Sequence, residues 1–133
     1  MLYRRDTLPS IRQNTSGMKR IRNHLIGVDQ GDINLFSDFQ DGGEMWTGVG
    51  PRERRRKVAF AQPFRAPPSV QTSVSLWDVD TASHMRADVS AENITTESCE
   101  IVFRTWGDSR VARIRVAWMA IGELPHEDDW ELY

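Results

Sequence analysis

Three side chains of complementary chemistry stand out in the second half of the chain: Arg86, Trp106 and Asp108. Trp106 and Asp108 bracket Gly107, a residue that lets another backbone approach closely. An aromatic face and a carboxylate therefore fall within three residues. Arg86 brings five N–H donors, which hold a pair of hydroxyls better than a lysine ammonium does. A pyranose asks for these groups, because its C–H face dries against an aromatic ring while its hydroxyls need directed donors and acceptors. The same residues also have a plainer reading. Asp108 then closes a tight turn through backbone amides, Trp106 packs on a neighbouring loop, and Arg86 makes a ladder ion pair with Asp88, Glu92 or Glu100, worth little at a surface.

Other chemistries are harder to assemble. His24, His84 and His126 are far apart and share no metal-ligand spacing, so no metal site is expected. Cys99 is the only cysteine, which excludes an internal disulfide, and it alternates with Ile101 and Phe103 as a buried small hydrophobe would. Asp78 and Asp80 are as easily a strand end as a catalytic pair, and they are also near enough in sequence to orient Arg86. Gly48-Val49-Gly50 runs into Pro51 and a strand, whereas a dinucleotide loop needs a helix. No catalytic residues and no cofactor are expected, and a hydrolase fails for want of a positioned acid–base pair.

The elements that must position Arg86 and Trp106 read as β-strands. Met85, Ala87, Val89 and Ala91 line one face of a strand, with Arg86, Asp88, Ser90 and Glu92 on the other. Cys99, Ile101 and Phe103 mark the next strand inward, which leaves Glu100, Val102, Arg104 and Trp106 outward. Ile114, Val116, Trp118 and Ala120 mark the last, and Arg104-Thr105-Trp106-Gly107-Asp108 reads as the turn of a hairpin joining these two strands. Val70, Thr72, Val74 and Leu76 alternate earlier, after the break at Pro67-Pro68. Val58, Phe60 and Gln62 give a strand of about seven residues, and one or two short strands are expected around Gly27–Phe39. Period-2 patterning with Val, Ile, Phe and Trp enrichment predicts an all-β fold, a six-stranded antiparallel β-sandwich. Its expected core is Phe60, Val74, Leu76, Val89, Ile101, Phe103, Ile114, Val116 and Trp118.

The 133 residues bound this to one domain with a single core. A formal net charge of −2 argues against a general nucleic-acid binder. The run Arg52-Glu53-Arg54-Arg55-Arg56-Lys57 leads into a strand and lacks interleaved aromatics, so it reads as a solvated or subunit-facing edge that blocks sheet-to-sheet pairing. No secretory h-region opens the chain and no apolar segment is long enough for a membrane helix, so a cytoplasmic product, released by lysis if at all, is expected, without membrane insertion. Residues 1–17 read as a disordered leader, 18–57 as N-terminal strands and a loop, 58–122 as the β core, and 123–133 as an acidic tail.

Phe60 through Pro68, Asp78 to Arg86, Phe103 to Asp108 and Trp118 to Gly122 together resemble the H-type lectin family, the snail agglutinin and discoidin C-terminal type of sugar-binding sandwich. The resemblance implies homotrimers whose carbohydrate sites lie at subunit interfaces. Arg86 and the Trp106 turn would come from one subunit, and a loop acid from its neighbour. Glu53 is the only acid in the segment 47–53, so it takes that acceptor role. Gly107 stands where snail lectins often carry histidine, Asp108 where a polar residue is common, and Ala112 where some members carry an aromatic. The implied ligand-binding set is Arg86, Trp106, Gly107, Asp108 and Glu53, and the implied function is recognition of cell-surface glycans. The competing implication is a structural trimerisation or attachment domain of a phage-like particle.

Overall fold

The protein is described by a computed structural model over residues 17–22 and 25–126. The leader at 1–16, His24 and the tail at 127–133 lie outside the described residues. In chain order the elements are β1 (Ile26–Ser37), α1 (Glu44–Thr47), β2 (Arg52–Ala59), β3 (Ser69–Val79), β4 (Ala87–Glu92), β5 (Ser98–Thr105) and β6 (Val111–Glu123). They form two three-stranded antiparallel sheets, ordered β1-β6-β3 and β2-β5-β4. The expected six-stranded antiparallel sandwich is therefore the fold.

Between the sheets lies a core of Phe36, Met45, Val58, Phe60, Phe64, Cys99, Ile101, Phe103, Val111, Ile114, Val116, Trp118 and Ala120. Phe60 meets Phe64 edge-on at 5.2 Å and Trp118 at 6.0 Å between ring centroids. Trp118 needs room from β1, and its partner there is Gly31. A Cβ on Gly31 would lie 2.9 Å from the Trp118 Nε1. The Cys99 thiol is fully buried, and desolvation pushes its pKa up.

Four local expectations are corrected. Strands β5 and β6 do not pair as a hairpin: β5 lies between β2 and β4, while β6 lies between β1 and β3. The Trp106 turn is a crossover between sheets, with β5 and β6 each paired on both sides to other strands. The strand before Pro67 is Arg52–Ala59, not 58–63, since beyond Ala59 the chain leaves the ladder to place Phe60 and Phe64 in the core. β1 is one strand of 12 residues, with a bulge between Asn34 and Phe36. Leu76 is not packed on the core, because a register shift between Val74 and Leu76 sets it opposite Arg115.

The basic run has two faces. Glu53, Arg55 and Lys57 point outward, opposite Arg104, Val102 and Glu100 of β5. Arg54 and Arg56 have the inward parity of an edge strand and close the side of the sandwich towards β1. The Arg54 guanidinium lies 5.8 Å from the Phe36 ring centroid, and Arg56 Nη1 donates to the Asn34 carbonyl at 2.7 Å. Arg54 is half-buried against Phe36 while its charge reaches the margin, and Arg56 is exposed.

Candidate functional site

Ala87 pairs with Thr105, so Arg86 and Trp106 flank the same end of the β4–β5 pair. Two short hydroxyl side chains set the local geometry. The Thr105 hydroxyl donates to the Arg86 carbonyl. The Arg86 N–H donates to Ser109 Oγ at 2.8 Å, and that buried hydroxyl donates to the His84 carbonyl at 2.6 Å. Gly107 turns the chain with φ +70°, a conformation that favours glycine. A Cβ there would stand 3.3 Å from Arg86 Nη1, which shows how closely the guanidinium approaches the turn.

Charges then converge. Arg86 Nη1 lies 3.3 Å from Asp108 Oδ1, and His84 Nδ1 lies 3.2 Å from Asp108 Oδ2. The hydrogen bond from His84 is the largest influence holding the Asp108 carboxyl below its ordinary range. The carboxylate is ionised at neutral pH and remains open to solvent. Beside it the Trp106 indole is 44% exposed. Arg86, Trp106, Gly107 and Asp108 thus meet at one rim, with donors, an acceptor and a flat apolar face. Arg86 pairs with Asp108 and not with Asp88, Glu92 or Glu100. Nor do Asp78 and Asp80 orient it: Asp78 pairs with Arg113 at 3.0 Å and Asp80 with Arg110 at 3.7 Å.

Glu53 lies within strand β2, not in a loop. Arg104 Nε and Arg55 Nε hold its carboxylate at 2.9 and 3.0 Å, and Arg55 is the chief reason its pKa is lowered. An outward groove of about 590 Å³ contains Glu53, Asp88 and Arg104 together with Trp106. Glu53 and Trp106 of one chain therefore border the same groove.

Three contributors escaped the sequence reading. In the sequence His84 reads only as an isolated histidine without metal-ligand spacing. Ser109, three residues after Trp106, has the spacing of a side chain that folds back on a turn. Arg52 carried no signal, since it opens a run that looks solvated, yet it is only 6% exposed. Its guanidinium donates to the carbonyls of Gly50 (2.9 Å), Glu44 (3.3 Å), Met45 (3.2 Å) and Gly107 (3.2 Å). The Gly50 N–H also reaches the Gly107 carbonyl, at 2.8 Å. Arg52 thereby ties the one-turn helix α1 and the 48–51 segment to the Trp106 turn.

The comparisons with known proteins agree with this architecture. The description "H-type lectin domain" matches residues 55–121. The protein named ATP synthase subunits region ORF 7, from Fuscovulum blasticum, is 52% identical over 107 residues, covering 80% of this chain and 93% of that one. Native recombinant discoidin II of Dictyostelium discoideum superposes with a TM-score of 0.65 at 26% identity, over 75% of this chain and 38% of its own. The wild-type discoidin II structure gives 0.66 at 25% identity, over 76% and 38%. The chain thus spans well under half the length of discoidin II. The paired sheets, the rim and a match across half the sequence converge on one assignment: the chain belongs to the H-type lectin domain family.

Proposed function

We propose that this protein is a carbohydrate-binding module that recognises surface glycans through the Trp106 rim and acts by binding, not catalysis. The observation that carries this reading is the juxtaposition of the Arg86–Asp108 pair, at 3.3 Å, with the exposed indole of Trp106. A pyranose would lay its C–H face on the indole. Its hydroxyls would accept from the guanidinium and donate to the Asp108 carboxylate. Fixing both charged groups before the ligand arrives limits the ordering cost of binding. Gly107 leaves the approach open.

Single sites of this kind are weak, and three of them around an axis raise the effective affinity by avidity. We therefore read the working form as a cyclic homotrimer, with a neighbouring subunit completing each site. Glu53 takes the neighbour's acceptor role in this reading, and its place in the same groove as its own Trp106 would put both at the subunit contact.

A glycan array probed with a polyvalent form of the protein tests the reading. Binding to neutral or acidic glycans is expected, and Arg86→Ala and Trp106→Ala should each abolish it. Both variants should melt near the parent temperature, because neither side chain is in the core. Silence across the array would favour a structural attachment role, in which the Arg86–Asp108 pair merely braces the crossover.

A further inference from the structure

The same end of the sandwich carries a second groove on its other sheet. Ser37, Arg113 and Asp78 form a single cross-strand row over β1, β6 and β3, with Ser37 and Asp78 both opposite Arg113. Phe39 and Trp46 stand at the margin of this row, edge to face at 4.9 Å. With Gln40 they enclose about 440 Å³, within the roughly 300–1,000 Å³ in which small-ligand sites fall.

A ring that only seals the end of a core should be covered, but Phe39 is 56% exposed. The segment that carries it is anchored through its neighbour. The preceding Asp38 donates its N–H to the Ala112 carbonyl at 2.7 Å and accepts from the Gly43 N–H at 3.0 Å. The Asp38 carboxylate, itself buried, takes the Met45 N–H at 3.0 Å and Arg54 Nη2 at 2.9 Å. Trp46 is fixed by Arg110, whose guanidinium lies 4.6 Å from the indole centroid while its Nε donates to the Trp46 carbonyl at 3.0 Å. The polar floor is ready as well. Arg113 Nε bonds Asp78 Oδ2 at 3.0 Å, with both side chains about half exposed at 54% and 46%.

Two features select the ligand class. The floor crosses β6, the central strand, whose ladder is occupied on both sides, so an extended peptide has no strand edge to join there. The guanidinium and carboxylate of the floor cancel in charge, which favours a neutral ligand rich in hydroxyls. We propose that this groove is a second carbohydrate subsite, separate from the Trp106 rim. It receives the C–H face of a neutral pyranose on Phe39 and the hydroxyls on Arg113, Asp78 and Gln40. The proposal does not require the Trp106 rim to bind anything.

Heteronuclear NMR of the full chain, titrated with free glucose, galactose, mannose and N-acetylglucosamine up to their solubility limits, tests it. At least one sugar should shift the Phe39 and Gln40 amides and the Trp46 indole N–H. Those shifts should persist in Arg86→Ala, which disables the first rim, and disappear in Phe39→Ala. Arg113→Gln, at an exposed strand position, applies the same test if Phe39→Ala does not fold. Absence of shifts at 37–46 with every sugar overturns the proposal. So does their loss in a folded Arg86→Ala protein, which would mark them as transmitted from the first rim, or their survival in both Phe39→Ala and Arg113→Gln.

Discussion

The two outward sheet faces of this sandwich distribute their charges differently. On the β1-β6-β3 sheet, Val28, Gln30, Gln71, Ser73, Ala117, Met119 and Ile121 make a neutral patch, with Val28, Met119 and Ile121 exposed. Charges gather in the other half, where Ser75 links Asp32 to Arg115 and Arg113 pairs with Asp78. On the β2-β5-β4 sheet, Arg55 reaches Glu53, Glu100 and Glu92 at 3.0, 3.2 and 3.5 Å. Arg104 reaches Glu92, Glu53 and Asp88 at 2.6, 2.9 and 3.9 Å. Beneath this lattice Val102, on the outward parity, is fully buried. Parity alone therefore does not decide burial. A network of long charged side chains buries one outward valine on the β2-β5-β4 sheet, while the neutral patch of the other sheet leaves its apolar side chains exposed.

The largest expected effect lies in that shared core, on which both faces depend. Trp118→Ala removes an indole packed on Phe60 and Gly31 and should lower the unfolding free energy by about 3–5 kcal/mol. Denaturant midpoints at constant slope provide the measure. A loss within the roughly 0.5 kcal/mol usual for surface positions would mean that the indole is not part of the core.

The burial of Val102 can be tested against that of the core with one substitution on each side of the sandwich wall. Val116→Ala in the core and Val102→Ala beneath the lattice should each cost about 2 kcal/mol, because both side chains are fully withdrawn from water. If Val102→Ala is nearly silent while Val116→Ala is not, the charged lattice does not shield Val102 in solution, and the two faces are more alike than their geometry suggests.

The lattice should also set the acid response. The hydrogen bond from Arg104, supported by Ser90, brings the Glu92 pKa down from 4.5 to about 2. A carboxyl whose pKa falls on folding contributes its stability above the ordinary value and loses it as pH drops through the folded value. The melting temperature should therefore decline between pH 4.5 and about 2 as Glu92 gains its proton. Glu92→Gln should start lower at neutral pH and decline less steeply. Parallel curves for the two proteins would remove Glu92 from the acid response.

This division of labour was only partly legible in the sequence. Strands β3, β4, β5 and β6 announced themselves because Val, Ile and Phe alternate with polar residues there. Strand β2 is hidden from the pattern because three of its four inward positions, Arg52, Arg54 and Arg56, are arginines, and no hydrophobicity pattern registers a buried Arg52 or a half-buried Arg54. In the sequence the β5–β6 connection resembles a hairpin because neighbouring strands usually pair. The five residues between them instead cross from sheet to sheet. Arg86, Trp106 and Asp108 could still be brought together, since the β4–β5 pairing alone places them at one rim. His84 and Arg52 could not. His84 reaches the rim through the 80–86 connection, and Arg52 is buried by carbonyls from three separate segments, neither of which is a local pattern.

The smallest expected effect distinguishes which face meets a neighbouring subunit. In the trimer proposed above, Trp106 and Glu53 lie at the contact, which puts the β2-β5-β4 side of the molecule against its neighbours and leaves the neutral patch of the other sheet in water. Met119 is central in that patch, on β6 between Gln30 and Gln71. Met119→Lys should then change the unfolding free energy by no more than about 0.5 kcal/mol, as exposed substitutions away from special features do, and should leave the sedimentation coefficient unaltered at micromolar concentration. A lysine at a subunit contact would behave differently, because its charge would be desolvated without a partner. Dissociation of Met119→Lys into folded monomers would therefore move the contact to the β1-β6-β3 face. Glu53 would then have no route to a neighbour's Trp106 rim, and a glycan site on that rim would have to be complete within one chain.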